Sequence, residues 1–314
     1  MHKMEQLGQR IRGMRNPTVA GLDTRVEYLP KSFISEVLPG GVQSFEDAAN
    51  AVYAYNVRLI DALCDIVPAV KVQAAYYEMI GPAGMAAYEK TIRYAQKKGL
   101  LVMADVKRND IGATAACYAD AYLGATPLPG AKDAPVAFGA DFATVNPYLG
   151  VDGIKPFTDV CGENGTGIFV LVKTSNPSSG QLQDRRFEDG RTLYEAVADL
   201  VEEWGEDTRG ADGYSSVGAV VGATYPQQGT ALRARMPHSF FLVPGYGAQG
   251  ATGADIAGCF DSHGGGAIVN ASRSILCAWK KREGVPFDVA AREEAIRMRE
   301  DLCACLAQAG KELA

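Results

Sequence analysis

Three charged side chains with catalytic potential lie close together in the segment 104–112, which reads Ala-Asp-Val-Lys-Arg-Asn-Asp-Ile-Gly. The apolar run 100–103 before it predicts a buried parallel strand. Because successive strand residues point to opposite faces, we expect Asp105 and Lys107 to share one face, with Asp110 just beyond. Two carboxylates would then flank one ammonium, which keeps it protonated. Such a group stabilises developing negative charge and can deliver a proton.

Two other predicted strands also carry charged residues. Asp23 follows the run 18–22, and Lys71 lies inside the run 68–72. An isolated Asp-x-Lys pair is more often a structural ion pair, and an Asp after a strand is more often a turn former or helix cap. A lysine inside an apolar strand is harder to explain, because burying it unpaired costs several kcal/mol or removes its proton. We therefore expect a carboxylate next to Lys71.

Eight short apolar runs predict the strands of one sheet, and most are separated by helical patterns. The predicted strands are 18–22, 68–72, 100–103, 142–146, 167–172, 217–221, 240–243 and 267–270. This order predicts a single (β/α)8 barrel domain, an α/β fold, over residues 1–314. We expect a loop insertion near 124–140, which is rich in Gly, Pro and Ala, and another near 178–190, which continues from the turn-rich segment 173–180.

Helix boundaries are indicated at several points along the chain. Ser44 begins a helix with a capping-box-like pattern, and Thr192 caps a helix that continues to about Trp204. The last helix covers about 289–309. The segment 31–41, after Pro30, is predicted to be an irregular excursion.

The ends of the last two strands suggest a phosphate site. The segment 244–250 formally contains Gly-x-Gly-x-x-Gly, but a dinucleotide fold needs this motif after its first strand, with an acidic residue about 20 positions later. Asn270-Ala271-Ser272-Arg273-Ser274 begins a helix whose free N–H groups could bind a phosphate together with Arg273. Loops after strands seven and eight form the common phosphate site of such barrels. The alternative is a glycine turn and a surface arginine.

The pattern Asp-x-Lys-x-x-Asp-Ile-Gly, followed by Thr114, resembles the signature of the orotidine 5'-phosphate decarboxylase family. The resemblance extends over the barrel from Asp23 to Arg273. The length, the form of the signature and the segment Thr-Val-Asn-Pro-Tyr-Leu-Gly at 144–150 are similar to the longer bacterial subfamily, often called type 2.

The resemblance implies a role for each matched residue. Lys107 would protonate C6 of the pyrimidine, Asp105 would lie near the departing carboxylate, and Lys71 and Asp110 would hold the charge alternation. The substrate-binding set would be Asp23 for the ribose, Thr114 acting with Asp110 in the neighbouring subunit's site, Ser175 near the pyrimidine, and Gln249 and Arg273 for the phosphate. The alignment at Ser175 leaves Thr174, Ser178 and Ser179 as alternatives.

The implied reaction is decarboxylation of orotidine 5'-monophosphate to UMP and CO2, the last step of UMP biosynthesis, in a homodimer with shared sites. No cofactor is expected, since no motif for pyridoxal phosphate, thiamine or a metal is found. One alternative is a magnesium-dependent sugar-phosphate decarboxylase or aldolase, which would favour an acidic ligand near the end of strand two. There this chain has Lys71, and Glu78 lies well beyond. Another alternative is a non-catalytic nucleotide-binding barrel.

Composition narrows the class of protein. The 314 residues are 47% hydrophobic and 22% charged, with a net charge of -6, which argues against a general nucleic-acid or membrane-surface binder. No apolar run approaches the roughly 20 residues that span a bilayer, and the N-terminus has no apolar signal core, so a cytoplasmic location is predicted. The seven cysteines are scattered without zinc-site spacing and are expected to be reduced.

Overall fold

Eight parallel strands close into a barrel in the order of the sequence. The computed structural model describes residues 1–223, 226–247 and 252–313. The strands are β1 (Thr18–Gly21), β2 (Ala69–Gln73), β3 (Leu101–Arg108), β4 (Phe142–Val145), β5 (Gly167–Lys173), β6 (Val217–Val221), β7 (Phe241–Pro244) and β8 (Ala267–Ala271). All eight predicted strands are found and the predicted (β/α)8 fold is confirmed.

Helices surround the barrel. In the described part of the chain they are α1 (Lys3–Met14), α2 (Lys31–Val37), α3 (Phe45–Leu63), α4 (Ala75–Glu78), α5 (Gly81–Lys97), α6 (Gly112–Leu123), α7 (Val151–Asn164), α8 (Leu193–Trp204), α9 (Pro226–Arg235), α10 (Gly253–Ile256), α11 (Arg273–Leu276) and α12 (Phe287–Gln308). The strands are buried almost throughout, as expected for a parallel sheet covered by helices. One apolar core links the strands and the helices.

Two predicted helix starts are confirmed by complete capping boxes. Ser44 caps α3 and exchanges hydrogen bonds with Asp47, and Thr192 caps α8 and does the same with Glu195. The segment 124–140 contains no helix or strand, in agreement with the predicted insertion.

The prediction of an irregular excursion over 31–41 is wrong, because α2 occupies Lys31–Val37. Its Phe33 is buried, with ring centroids 5.6 Å from Tyr55 and 5.0 Å from Phe287. A helix this short is marginal alone and depends on tertiary packing. The aromatic partners lie far away in sequence, so local pattern reading could not find this helix.

The helix α1 packs against the N-terminal ends of the strands. Lys3 pairs with Asp141, which directly precedes β4, at 2.8 Å, and Asn16 donates to the carbonyl of Ile66 just before β2. The opposite end of the barrel, where the strands end, is therefore left to the connecting loops. Within the described residues, no helix is both long and apolar enough to cross a membrane.

Candidate active site

A row of alternating charges lies across the C-terminal ends of the first three strands. The buried Lys71 on β2 donates to Asp105 Oδ2 at 2.7 Å and to Asp23 Oδ1 at 3.5 Å. On the other side of Asp105, Lys107 Nζ lies 2.5 Å from Oδ1. Four predicted residues from three strand ends thus form one connected array, and the expected carboxylate partner of Lys71 is present.

The array keeps its buried groups ionised. Burial raises the pKa of Asp105, but Lys71 and Lys107 outweigh this and hold that pKa well below its usual range. Burial lowers the pKa of Lys71, but Asp105 and Asp23 more than compensate and raise it above its usual value. A fixed carboxylate therefore lies beside a fixed ammonium over a wide pH range.

A buried polar network holds the end of β1, where Asp23 lies. The hydroxyl of Thr24 donates to Asn56 Oδ1 at 2.6 Å, and Asn56 Nδ2 donates to Tyr77 Oη at 2.8 Å. Tyr77 in turn reaches the carbonyl of Leu22 at 3.4 Å. Every member is buried. This network ties α3 and α4 to the chain on both sides of Asp23 and so fixes its backbone.

Lys107 combines a fixed backbone with an accessible side chain. It has a left-handed φ of 46°, which is uncommon for a residue other than glycine. Its side chain is 46% exposed, whereas that of Lys71 is only 5% exposed. The two lysines flank the same carboxylate and both line the same cavity, but Lys107 is far more exposed.

The array forms one side of a cavity of about 550 Å3. Of the other predicted residues, Ser175 in the loop after β5 and Arg273 at the start of α11 also line this cavity. Gln249 lies outside the described residues. Further lining residues include Arg25, Tyr28, Gln73, Tyr76, Thr144, Tyr246, Asn270 and Ser272. The volume is within the range of small-molecule sites.

Four hydroxyls were candidates for the pyrimidine contact, and their surroundings differ. Thr174 Oγ1 is bonded to Gln183 and Asn176, Ser178 accepts from Asn176 and does not line the cavity, and Ser179 is buried 3.4 Å from Lys173 Nζ.

Ser175 lines the cavity and its backbone packs closely against Gly222 at the end of β6. A β-carbon added at Gly222 would lie 2.8 Å from the Ser175 amide nitrogen. The missing side chain at Gly222 therefore allows Ser175 to take this position. Thr174 also lines the cavity, but its hydroxyl is already bonded to Asn176 and Gln183, which favours Ser175.

The predicted phosphate end contains both charged and neutral donors. Arg273 is exposed at the start of α11, and this helix is only four residues long. Next to it, Asn270 Nδ2 donates to Ser272 Oγ at 3.3 Å, while Asn270 Oδ1 is buried without a partner in the described chain. Anion binding here would depend on the Arg273 side chain more than on a helix dipole.

Asp110 and Thr114 lie apart from the cavity of their own chain. The Asp110 carboxylate accepts from the Ile111 amide at 2.8 Å, and Thr114 is exposed on α6. Neither residue lines the cavity. The expectation that Asp105 and Asp110 flank Lys107 is therefore not met within one chain, because the turn into α6 directs Asp110 away.

Among the described residues, the group of side chains that could hold a metal ion lies at the end of the barrel opposite the cavity. His2, Glu5 and Asp212 have ligand atoms within 4.8 Å of one another, but His2 and Glu5 lie at the start of α1 and Asp212 lies in the segment before β6, near the N-terminal ends of the strands. Glu78, the acidic residue nearest after strand two, pairs with Arg108 at 2.6 Å and does not line the cavity.

Sequence reasoning missed two polar residues in contact with Asp105. Gln73 Nε2 donates to Asp105 Oδ2 at 2.9 Å, and Thr144 Oγ1 donates to Asp105 Oδ1 at the same distance. Gln73 was detectable, because it follows Lys71 by two residues and so shares its strand face. Thr144 lies on the next strand, and its contact with Asp105 depends on how β3 and β4 pair.

Comparison with known proteins identifies the family. The model of the orotidine 5'-phosphate decarboxylase / HUMPS family matches residues 47–285. An orotidine 5'-phosphate decarboxylase of Rhodopirellula baltica is 48% identical over 92% of this chain and 91% of its own length. One from Clostridium botulinum is 41% identical over 90% and 93% of the two chains.

A solved structure supports the same assignment. The OMP decarboxylase of Leishmania donovani superposes with a TM-score of 0.70 at 30% identity, covering 96% of this chain and all of that one. The similarity thus includes the barrel and the strand ends that carry the charges. The chain belongs to the orotidine 5'-phosphate decarboxylase / HUMPS family.

Proposed function

We propose that this protein is a carboxy-lyase that converts orotidine 5'-monophosphate to UMP and CO2, the last step of UMP biosynthesis. The observation that carries the proposal is the array Asp23–Lys71–Asp105–Lys107 on the wall of a cavity that also contains Arg273. The relatives that are 41% and 48% identical are named for this activity.

The chemistry needs a fixed positive charge near C6. When the bond from C6 to the carboxyl carbon breaks, CO2 leaves and the electron pair stays in an sp2 orbital on C6. The ammonium of Lys107 stabilises this charge and then transfers a proton from Nζ to C6, which gives UMP. The resulting amine of Lys107 takes up a proton from water before the next turnover.

Asp105 would hold Lys107 in place and lie near the departing carboxylate. Its other oxygen is bonded to Lys71 and Gln73, so its position is fixed from two sides. Because the pKa of Asp105 is held low, this side chain remains an anion during the reaction.

The remaining predicted residues would hold the rest of the substrate. Asp23 would bind the ribose, Ser175 the pyrimidine, and Arg273 with Gln249 the phosphate. Guanidinium groups match the geometry of phosphate oxygens. Binding energy from the distant phosphate can also lower the barrier of the chemical step.

The positions of Asp110 and Thr114 outside the cavity of their own chain suggest a second subunit. Large apolar side chains at or just before the starts of α6 and α7, two helices that pack against each other, are also exposed, namely Ile111, Tyr148, Leu149 and Val151. Contiguous exposed apolar surface is typical of an interaction site. We propose a homodimer in which this surface is covered and Asp110 and Thr114 enter the partner's site.

The main rival is a magnesium-dependent enzyme acting on a sugar phosphate. It is disfavoured because strand two supplies Lys71, whose ammonium lies between two carboxylates where a divalent cation would otherwise bind. The predictions of a cytoplasmic location and of no nucleic-acid or membrane partner stay predictions.

The proposal is tested by incubating the purified protein with orotidine 5'-monophosphate and excess chelator, and measuring UMP formation by chromatography. We expect turnover that does not depend on added metal. Binding of UMP without turnover would instead indicate a nucleotide-binding barrel. Activity on a sugar phosphate only after magnesium is restored would establish the rival.

A further inference from the structure

The pairing of β3 with β4 is interrupted next to the charge array. Ala104 is paired with Ala143, but the next pair is Arg108 with Val145. The three β3 residues 105–107 therefore lie opposite the single β4 residue Thr144. Such a bulge leaves backbone N–H groups without their usual partners in the sheet, and two of the three residues belong to the proposed catalytic array.

The hydroxyl of Thr144 takes the place of the missing sheet partners. It accepts from the amide of Val106 at 3.0 Å and from the amide of Lys107 at 2.9 Å. It also donates to Asp105 Oδ1 at 2.9 Å. One hydroxyl has one hydrogen and two lone pairs, so these three bonds use its full capacity. Thr144 is 2% exposed, which leaves little room for competing water.

The backbone of Lys107 needs such support. A left-handed conformation is unfavourable for a residue with a β-carbon, and it persists only where neighbouring contacts impose it. The bond to Thr144 fixes the amide at this position. The same oxygen donates to the carboxylate that binds Lys107 Nζ. Both ends of the lysine are thus tied to one side chain.

We infer that Thr144 is a positioning residue that holds the β3 bulge so that Lys107 and Asp105 face the reacting carbon with the correct separation. This inference rests on the proposed roles of Lys107 and Asp105. Thr144 acts through these two residues. Its contribution is to fix their geometry before the substrate binds, which is worth most in the chemical step.

The test compares three variants with the wild type. Thr144→Val keeps the branched shape and removes the hydroxyl, and Thr144→Ser keeps the hydroxyl. The control, Thr18→Val, removes a hydroxyl of β1 that is buried without a partner among the described residues. We measure kcat for orotidine 5'-monophosphate, the dissociation constant of UMP, and hydrogen exchange of the Val106 and Lys107 amides.

We expect Thr144→Val to lower kcat by about 10- to 100-fold, because two amides and one carboxylate lose a hydrogen bond. UMP affinity should stay within about threefold, since UMP has no carboxylate at C6. The Val106 and Lys107 amides should exchange faster. Thr144→Ser should restore kcat and slow exchange, and Thr18→Val should behave as the wild type.

Unchanged kcat in Thr144→Val, or equal losses of kcat and UMP affinity that serine does not rescue, would overturn the inference. If Thr144→Val does not fold, hydrogen exchange of the wild type tests the inference. Its Val106 and Lys107 amides must be protected as well as the regular amides of β3, and rapid exchange there would overturn the inference. Absence of turnover in the wild type would refute the proposed function alone, because the exchange data do not depend on activity.

Discussion

The two sides of the cavity are built differently. On the side of β1 to β4, the key groups lie on strands or directly after them, and Lys71 and Asp105 are buried in direct contact. On the side of β5 to β8, Ser175 lies in a loop and Arg273 is exposed on a four-residue helix. The charges of the first side are held in place by one another, whereas the groups of the second side lie on a loop and a short helix.

The difference suggests that one side of the cavity serves the chemical step and the other serves substrate binding. Groups that stabilise a transition state work best when they are preorganised, since they then need no rearrangement during the reaction. Groups that recognise a distant part of the substrate can move on binding, and their binding energy can be used for closure. We call the side of β1 to β4 the strand side and the side of β5 to β8 the loop side. We expect substitutions on the strand side to affect kcat most, and substitutions on the loop side to affect kcat/KM.

After removal of Lys107 itself, the largest effect is expected for Asp105→Asn. Loss of this charge leaves Lys107 without its carboxylate and Lys71 with only Asp23 at 3.5 Å, so we expect kcat to fall by at least about 100-fold. The control is Asp141→Asn, a buried carboxylate at the other end of the barrel. If both variants lost stability and activity alike, the special role of the strand side would be refuted.

A smaller effect is expected for Arg273→Ala, measured as kcat/KM. Charge-assisted hydrogen bonds to a phosphate contribute about 1.5–3 kcal/mol, which corresponds to a loss of roughly 10- to 100-fold. Arg282→Ala is the control, because Arg282 pairs with Glu293 and does not line the cavity. Equal activity of the two variants would show that Arg273 does not bind the phosphate.

The charge array also predicts a pH dependence of stability. The folded-state pKa of Asp105 is lowered from an ordinary value of 3.8, so its stabilising contribution is present above that value and is lost as the pH falls through the folded pKa. The difference in unfolding free energy between wild type and Asp105→Asn should be constant from about pH 5 to 8 and shrink below, by up to about 1.4 kcal/mol per pH unit.

Urea unfolding of the wild type and Asp105→Asn from about pH 3 to 8 measures the difference in their unfolding free energies directly. Using the difference cancels the titration of groups that the two proteins share. A difference that is the same at about pH 3 as at neutral pH would contradict the low pKa of Asp105.

The smallest effect is expected in the loop after β5. The buried Lys173 pairs with Asp184 at 2.6 Å and so connects the end of β5 to the loop that carries Ser175. We expect Asp184→Asn to raise KM a few-fold with little change in kcat, because it loosens the loop and leaves the array intact. Asp189→Asn, which alters an exposed pair with Arg191 in the same insertion, should change neither. A larger loss of kcat in Asp184→Asn would place this loop in the chemical step.

Sequence reasoning succeeded where the signal is local. The order of eight apolar runs predicts the barrel, and alternation along a strand places Asp105 and Lys107 on one face, while burial explains why Lys71 needs a carboxylate. These inferences require only neighbouring residues and the rule that parallel strand ends meet at one face of a barrel.

It failed where the signal depends on pairing between distant segments. The role inferred for Thr144 follows from the interrupted register of β3 and β4, and the contact of Lys173 with Asp184 follows from the path of a loop. The helix α2 likewise depends on the packing of Phe33 against Tyr55 and Phe287. None of these contacts leaves a periodic pattern in the sequence.

The proposed role of Lys107 as the proton donor to C6 is tested by the turnover of Lys107→Ala. We predict that kcat for orotidine 5'-monophosphate falls by at least about 1,000-fold in the presence of chelator, since both the general acid and the nearby positive charge are lost. UMP should still bind. The control, Lys155→Ala, removes an exposed lysine paired with Asp159 and should be fully active. Near-normal turnover by Lys107→Ala would show that Lys107 is not the proton donor.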